Sequence, residues 1–376
     1  MLLSGTSVLA QETTPLVVKQ ENLPTTATNA EAKKEKAVDI NKLSEEERTK
    51  EVFAAINAGD LEKVKAMRYA MVYYRQNETG ETALTQAILN KNQEMVDLLS
   101  EEAVINLKNK AGETPLTLAL KQGDKKIIEL VAKRAKAALK NDLGEAPLML
   151  AIDLEDLKIL QNLIKKGADV NRKSNGITPL AKAAAKNQIN IVALLVRNGA
   201  DPNITNDNGE LPLYIAVQNG YNVVSGILLH KSDHADEDAN WETAIGETLL
   251  NLAVLQGNEQ LVRILLDHGA EVMHVDYMEN TGLNIAAEKG YTSIAVLLLQ
   301  QGADPNHTNI MGTTPITAAA QNGHTDLASA LAENGANPNQ RNFEGIAAND
   351  YGHYQAKLMD DDLHNTIIEL TEEKTQ

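Results

Sequence analysis

The feature that most constrains this chain is a block of residues that recurs in phase along most of its length. Its clearest copy runs from Gly176 to Asn203. In that copy Thr178 is suited to cap a helix, and Pro179 is suited to the first helical turn, where its missing N–H costs nothing. A second helix with an apolar stripe is predicted to follow and to end at Gly199, because glycine readily ends a helix. One such block cannot bury its stripe alone, so the pattern predicts a stack of helix-turn-helix units.

The register of the stack is carried by the residue that matches Thr178 in each copy. Successive members lie 32 or 33 residues apart, except for a step of 37 residues between Leu211 and Thr248. A glycine stands two positions earlier in every copy but one, where Glu279 replaces it. The members of the series are Thr82, Thr114, Ala146, Thr178, Leu211, Thr248, Thr281 and Thr314.

Two stretches carry a family resemblance, GETPLTLALKQGD at 112–124 and GTTPITAAAQNGHTDLASALAENGANPN at 312–339. With a period of about 33 residues they closely resemble the ankyrin repeat consensus, over about Ser44 to Tyr354. The resemblance implies an all-α solenoid in which each repeat is a helix-turn-helix plus a finger turn. We predict eight repeats between an N-terminal and a C-terminal cap. It also implies a concave, finger-tip face that holds a protein partner.

The chain departs from the consensus at the histidine of T-P-L-H, which in the family links neighbouring turns. Because that histidine is absent from every copy, we expect weaker polar bonding between repeats, with Thr or Asn as partial substitutes. The first two full repeats also lack the G-A-D helix stop, so the N-terminal third is expected to be less regular. The residues at the histidine position are Thr85, Thr117, Met149, Ala181, Tyr214, Asn251, Asn284 and Thr317.

The composition outside the repeats predicts the remaining layout. Residues 1–10 resemble a truncated signal peptide, apolar with small residues at Val8 and Ala10, although they lack a basic n-region. Residues 11–42 are polar and are predicted to be a disordered linker. The repeat domain is expected over 43–354, with a capping helix and tail at 355–376. We expect export, periplasmic or secreted, if the N-terminus is a signal remnant, and a cytoplasmic protein otherwise.

Charge and motif content exclude several function classes. A net charge of −17 opposes binding to nucleic-acid phosphates. The chain has no Cys, which excludes disulfides and zinc-thiolate sites. No catalytic or phosphate-binding motif is present, so we expect neither an enzyme nor a cofactor. No apolar stretch approaches the ~20 residues of a spanning helix, so membrane insertion is not expected. A monomer is expected.

The long step in the series marks an insertion at residues 230–241, predicted to be an acidic loop. His230 and His234 beside the insertion's carboxylates are weak candidates for a metal site, and a solvated acidic loop is the favoured alternative. Trp241, the only Trp, ends the insertion. Two interpretations remain open for it, an interface anchor and a side chain that folds back to cover the loop.

The tips of the finger turns are the predicted partner-binding residues. Early tips are basic: Lys108, Lys110, Lys140, Arg172 and Lys173. Late tips are apolar or aromatic: Tyr277, Met278, Ile310, Met311 and Phe343. This gradient fits a partner with an acidic portion, which the basic tips steer, and an apolar portion, which the late tips anchor. The alternative is that tip residues vary freely as ordinary exposed side chains.

The predicted function is a non-catalytic protein–protein interaction module. Two alternatives remain open. One is an effector delivered into another cell, which uses the same surface to mimic a host scaffold. The other is an accessory or inhibitor subunit of a secreted enzyme, in which the acidic insertion and Trp241 plug a basic site.

Overall fold

The structure, a computed structural model, describes residues 42–67, 72–100, 103–231, 235–243 and 246–355. The described residues from Leu43 onward form one unit, and their regular structure is helical, with only isolated β-bridges besides. The predicted signal segment, most of the predicted linker and the predicted capping helix lie outside the described residues. The helices are α1 (Glu45–Ala58), α2 (Leu61–Ala66), α3 (Ala83–Leu89), α4 (Gln93–Ser100), α5 (Pro115–Gln122), α6 (Lys125–Ala132), α7 (Pro147–Asp153), α8 (Leu157–Lys165), α9 (Pro179–Ala185), α10 (Ile189–Arg197), α11 (Pro212–Gln218), α12 (Asn222–Lys231), α13 (Ala235–Ala239), α14 (Leu249–Leu255), α15 (Glu259–Asp267), α16 (Gly282–Lys289), α17 (Thr292–Gln300), α18 (Pro315–Gln321), α19 (Thr325–Glu333) and α20 (Ala348–Gln355).

The helices stack as two parallel layers. The first helix of each pair packs against the first helix of the next pair, from α1 through α3, α5, α7, α9, α11, α14, α16 and α18 to α20. The second helices form their own series through α2, α4, α6, α8, α10, α12, α15, α17 and α19. Among the described residues each pair thus packs mainly on its neighbours, which is the architecture of a solenoid. The pairs from α3–α4 to α18–α19 are the eight predicted repeats, preceded by α1–α2 and followed by α20.

The first helices start where the threonine series predicts. In six of the eight repeats the Thr hydroxyl accepts the backbone N–H three residues later, for example from Thr117 to Thr114 at 3.0 Å. Ala146 and Leu211 occupy the same cap position without a side-chain bond. These six caps each satisfy one of the orphan amides at a helix start.

The core between the layers is made of aliphatic side chains and alanines. Ala183 and Ala184 on α9 are fully buried, as are Val192 and Leu195 on α10. Small side chains on the first helix let the next repeat approach closely. Leu180 of the first helix is also buried, so both layers supply the buried apolar area.

The N-terminal third contains the predicted irregularities. A 3-10 helix at Ala103–Asn106 stands where later repeats have the G-A-D stop, and another at Val72–Tyr74 follows the N-terminal pair. Where the stop is present, Gly199 has a φ of 84°, in the left-handed region that ends a helix. The end of the described stack is α20, which packs on α18.

Candidate functional site

A finger turn precedes each first helix, and most of these turns are closed by an Asn or Asp side chain. In the turn before α7, the Asn141 Oδ1 accepts the backbone N–H of Glu145 at 2.8 Å. The same i to i+4 bond is made by Asn77, Asn109, Asn206, Asp276, Asn309 and Asn342. Such Asx bonds hold a loop in one conformation. Sequence reasoning missed this role, although an Asn three residues before a turn glycine was its visible signal.

The turn before α9 is built differently, because Lys173 stands at the Asx position and cannot accept a hydrogen bond. Asn175 and Gly176 both have positive φ, 52° and 79°. They are the two loop residues between Ser174 and Ile177, which pair as an isolated antiparallel bridge. This is the geometry of a type I′ hairpin, for which Asn-Gly is strongly preferred. The block that is most regular in sequence therefore has an exceptional finger turn.

Neighbouring finger turns are tied together by backbone hydrogen bonds. The Lys110 N–H donates to the Gly80 carbonyl at 2.7 Å, and the Asp142 N–H donates to the Gly112 carbonyl at 3.0 Å. The contact is close enough that a Cβ on Gly112 would lie 2.4 Å from the Asp142 Cβ. Gly112 is thus needed both for its positive φ and for the approach of the next finger.

The predicted basic tips are partly used in these ties. The Lys108 Nζ lies 2.6 Å from the Asp142 Oδ1, and the Lys173 Nζ lies 3.4 Å from the Asp207 Oδ1. The Lys140 Nζ donates to the Lys173 carbonyl at 2.6 Å. Each of these bonds joins one finger to the next. The three ammonium groups are thus already engaged within the chain, whereas the sequence analysis assigned them to a partner.

Among the basic tip residues of the early fingers, Lys110 and Arg172 are the exposed ones. Burial, and then the nearby Arg172 guanidinium, lower the pKa of Lys140 below its usual value. The early tips therefore form a mixed row of cations and carboxylates, with an exposed basic side chain on its first and on its last finger.

The predicted apolar tips lie on three successive fingers, and we call Tyr277, Met278, Ile310, Met311 and Phe343 the finger-tip patch. The Ile310 N–H donates to the Met278 carbonyl at 3.0 Å, and the Phe343 N–H donates to the Met311 carbonyl at 3.1 Å. Tyr277 and Phe343 are 73% and 80% exposed. Ile310 and Met311 are also exposed, and Met278 is half-buried. Consecutive backbone ties thus place these side chains next to one another.

Sequence reasoning missed one apolar tip. Leu143 is 65% exposed and precedes Gly144 in the turn before α7. Leu143 and Met311 hold the same position, immediately before the turn glycine of their repeats. Aligning the repeats on that glycine could therefore have identified Leu143 from the sequence.

The insertion is not the continuous loop that was predicted. Helix α12 extends to Lys231, and residues Ala235–Ala239 form the short helix α13. Three acidic residues in the first turn of α13 favour it, because negative charge is stabilised at a helix N-terminus. The insertion then rejoins the repeat pattern at Asn240, whose Nδ2 donates to the Gly269 carbonyl at 2.9 Å.

The tie made by Asn240 recurs elsewhere in the stack. Its Oδ1 accepts the Glu271 N–H at 2.7 Å. Asn171 makes the same two bonds to Gly199 and Asp201. The insertion therefore lengthens the repeat without changing the way that its end joins the next one.

Trp241 folds back onto the stack. Its ring centroid lies 4.9 Å from that of Tyr214, with the planes tilted by 48°, and its side chain is half-buried. Tyr214 stands at the T-P-L-H histidine position. Burial, followed by the charges of Glu247 and Glu210, raises the pKa of the Tyr214 hydroxyl. Trp241 therefore contacts the first helix of the repeat that carries the insertion, through Tyr214.

Only one of the two weak metal candidates lies among the described residues. His230 is exposed at the end of α12, and His234 lies outside the described residues. Among the residues that are described, no group of three or more His, Asp or Glu is arranged to hold a metal ion. His307 and His324 each place a ring nitrogen within hydrogen-bond distance of a backbone carbonyl of the preceding repeat, at 2.9 and 3.1 Å.

A buried polar network that the sequence did not reveal joins the repeats of α5 and α7. The buried Glu113 carboxylate accepts the Thr117 hydroxyl at 2.7 Å, the Asn141 Nδ2 at 3.0 Å and the Lys121 Nζ at 2.6 Å. Lys121 also lies 2.5 Å from Glu145 of the next repeat. Burial opposes the charged form of Glu113, but these partners outweigh it and hold its pKa below the ordinary value.

The paired layers and the tied finger turns define the class of this chain, a tandem helical-repeat protein with a continuous surface along its first helices. A family model described as ankyrin repeats in three copies matches residues 52–141, 95–174, 148–240, 180–276, 213–309 and 276–342. The chain belongs to the ankyrin repeat family. Ankyrin repeats are generally protein–protein interaction modules and are typically non-catalytic. The search of curated proteins gave no match to this chain. None of the helices in the described ranges is both long and apolar enough to cross a membrane.

Proposed function

We propose that this chain is a non-catalytic scaffold that holds a protein partner on its finger-tip patch. The observation that carries the proposal is the exposure of Tyr277 and Phe343 on fingers tied to the same intervening turn. Large aromatic side chains in a central, pre-ordered position supply most of the binding energy at many interfaces. Because the backbone ties order the patch before binding, little conformational entropy is lost when a partner docks.

The early fingers have a supporting role in this proposal. Lys110 and Arg172 steer an acidic portion of the partner toward the surface, whereas Lys108 and Lys173 mainly stabilise the row of fingers. The partner is a protein and not a nucleic acid, and the scaffold acts as a monomer. Export rests on residues 1–10 alone, and N-terminal sequencing of the mature protein tests it, since a chain that starts at Gln11 supports a cleaved signal.

The finer alternatives differ in what they require of the insertion. An inhibitor that plugs a basic site needs a protruding anchor, and Trp241 is instead half-buried against Tyr214. The scaffold proposal needs only the finger-tip patch. An effector that mimics a host scaffold would use the same patch, so it differs in destination and not in binding surface.

The test replaces Tyr277, Met311 and Phe343 together by Ser. Proteins captured by the wild-type chain from a lysate of its source cell are identified, and the affinity of the purified partner is then measured. We expect binding to weaken by about 100-fold or more, because truncation of each central anchor costs on the order of 2 kcal/mol. Two control variants remove exposed apolar side chains elsewhere, Val223→Ser on α12 and Leu143→Ser on an earlier finger. Equal binding by the triple variant and the controls would refute the proposal.

A further inference from the structure

A cleft of about 240 Å³ opens on the first-helix face between α14 and α16. Its walls include Leu255 of α14, Ile285 of α16 and Tyr277, which also belongs to the finger-tip patch. The volume is below the range of drug-sized ligand pockets and suits a single side chain. The cleft therefore extends the finger-tip patch toward the helices.

An unpaired amide lies in the lining of this cleft. Asn251 is only 3% exposed, and neither its Nδ2 nor its Oδ1 has a hydrogen-bond partner. Asn284, at the same position in the next repeat, is fully bonded: its Oδ1 accepts the Thr281 hydroxyl at 2.7 Å, and its Nδ2 is 3.3 Å from the His307 carbonyl. A buried amide without partners costs stability, and a ligand that offers both a donor and an acceptor would remove that cost.

The rim of the cleft is acidic. Glu247, Asp276 and Glu288 all line it. Lys289 also lines it and pairs with Glu288 at 2.8 Å, so Glu247 and Asp276 give the rim its net negative charge. Asp276 makes the Asx bond, from residue i to i+4, that closes its finger turn. In the other finger turns closed by an Asx bond the residue is Asn, so among them only this turn carries a negative charge at that position.

These features match one kind of guest. An Arg or Lys residue has an apolar stem that packs on Leu255 and Tyr277, and a cationic head that the rim carboxylates attract. Its N–H donors provide the partner that the Asn251 Oδ1 lacks. A neutral or acidic side chain leaves the rim charge uncompensated.

We propose that this cleft receives an Arg or Lys side chain of the bound partner, next to the apolar segment that covers the finger-tip patch. The assignment rests on the proposed function, because it describes the same binding surface. The partner segment that this surface recognises therefore has a basic residue next to apolar residues.

The probe for the test is Nα-acetyl-arginine amide, with Nα-acetyl-citrulline amide as the neutral isostere. Both are titrated into the isotope-labelled full chain up to about 10 mM, in the range expected for the Kd of so small a ligand. We expect the arginine probe to shift the side-chain amide resonances of Asn251 in a saturable way, and citrulline to bind several-fold more weakly. An unshifted Asn251 amide, or equal binding of the two probes, would overturn the assignment.

Two isosteric variants separate charge from folding. Asp276→Asn keeps the oxygen that accepts the Met278 and Asn280 N–H groups, so the finger turn is retained. It should weaken the arginine probe about 3- to 5-fold, the range of an exposed ion pair. Glu247→Gln tests the second carboxylate in the same way. Asn309→Asp, which adds charge to the next finger, is the matched control and should not weaken the arginine probe.

One further variant distinguishes this assignment from the proposed function. Met311→Ser with Phe343→Ser removes most of the finger-tip patch and keeps Tyr277 in the cleft. Loss of partner binding with unchanged arginine binding supports both proposals. If the variant still binds the partner and the Asn251 shift is intact, the finger-tip patch is refuted as the partner site and the cleft assignment stands. If the Asn251 shift is lost, the cleft is not a site separate from the patch.

Discussion

Glu279 stands where the other seven repeats have the turn glycine, and replacing it gives a direct test of the backbone argument. Glu279 has a φ of 60°, whereas the glycines at the same position include Gly312 at 71° and Gly345 at 80°. An L-residue pays about 1–2 kcal/mol to occupy the left-handed region. Glycine adds about 0.5–1 kcal/mol of unfolded-state entropy. We therefore expect Glu279→Gly to stabilise the folded chain by about 0.5–1 kcal/mol.

The substitution at Glu279 leaves its hydrogen bonds in place. Its N–H donates to the Asp276 carbonyl at 2.9 Å, and its carbonyl is the partner of the His307 ring at 2.9 Å. Both groups belong to the backbone and are kept in the variant. The side chain is exposed, so its removal leaves no cavity.

The measurement is urea unfolding, followed both by circular dichroism and by the fluorescence of Trp241. Trp241 reports on the repeats around the insertion, so coincident transitions establish that a single free energy of unfolding is meaningful. Glu279→Ala is the control, because it removes the same charge from an acidic region but keeps a Cβ. If Glu279→Gly is no more stable than Glu279→Ala, backbone strain at this turn is not what limits its stability.

Two other substitutions test the helix caps and the buried network. Ala146→Thr should stabilise the chain by about 0.5–2 kcal/mol, because it adds the side-chain cap that α7 lacks, and thermal unfolding measures the gain. Lys121→Met should destabilise it by about 1–3 kcal/mol near neutral pH, since Glu113 is left buried with one partner fewer. The folded pKa of Glu113 lies below its unfolded value of 4.5, so this stability is present above pH 4.5 and is lost as the pH falls through the folded pKa. The difference between wild type and Lys121→Met should therefore shrink in acid, and a constant difference would show that Glu113 is not the group involved.

Much of the fold could be predicted because its determinants are local. The Thr178 cap, its helix and the stop at Gly199 involve residues a few positions apart, and their chemistry repeats at a fixed period. The register of the repeats follows from that period alone. Even the exception at Glu279 is visible as one missing glycine in the series.

The contacts between repeats could not be predicted in the same way. The bond from Asn141 to Glu113 joins residues 28 positions apart, and its existence depends on how one finger lies against the next. The pairing of Lys108 with Asp142 has the same origin. The sequence showed a basic tip, and only the geometry of adjacent fingers showed that its charge was already compensated. Similarly, Trp241 could be assigned to the surface or to the stack until the position of Tyr214 was known.

The finger row separates stability from recognition. The bonds from finger to finger are made by backbone atoms, so they form whatever side chain stands at the tip. On the early fingers, Lys108 and Lys173 reinforce those bonds with ion pairs. On the late fingers, Phe343 buries little of its surface within the chain and contributes little to the hydrophobic stabilisation of the fold. Substitutions in the finger-tip patch should therefore change partner binding while the stack remains folded, which makes binding experiments on this surface interpretable.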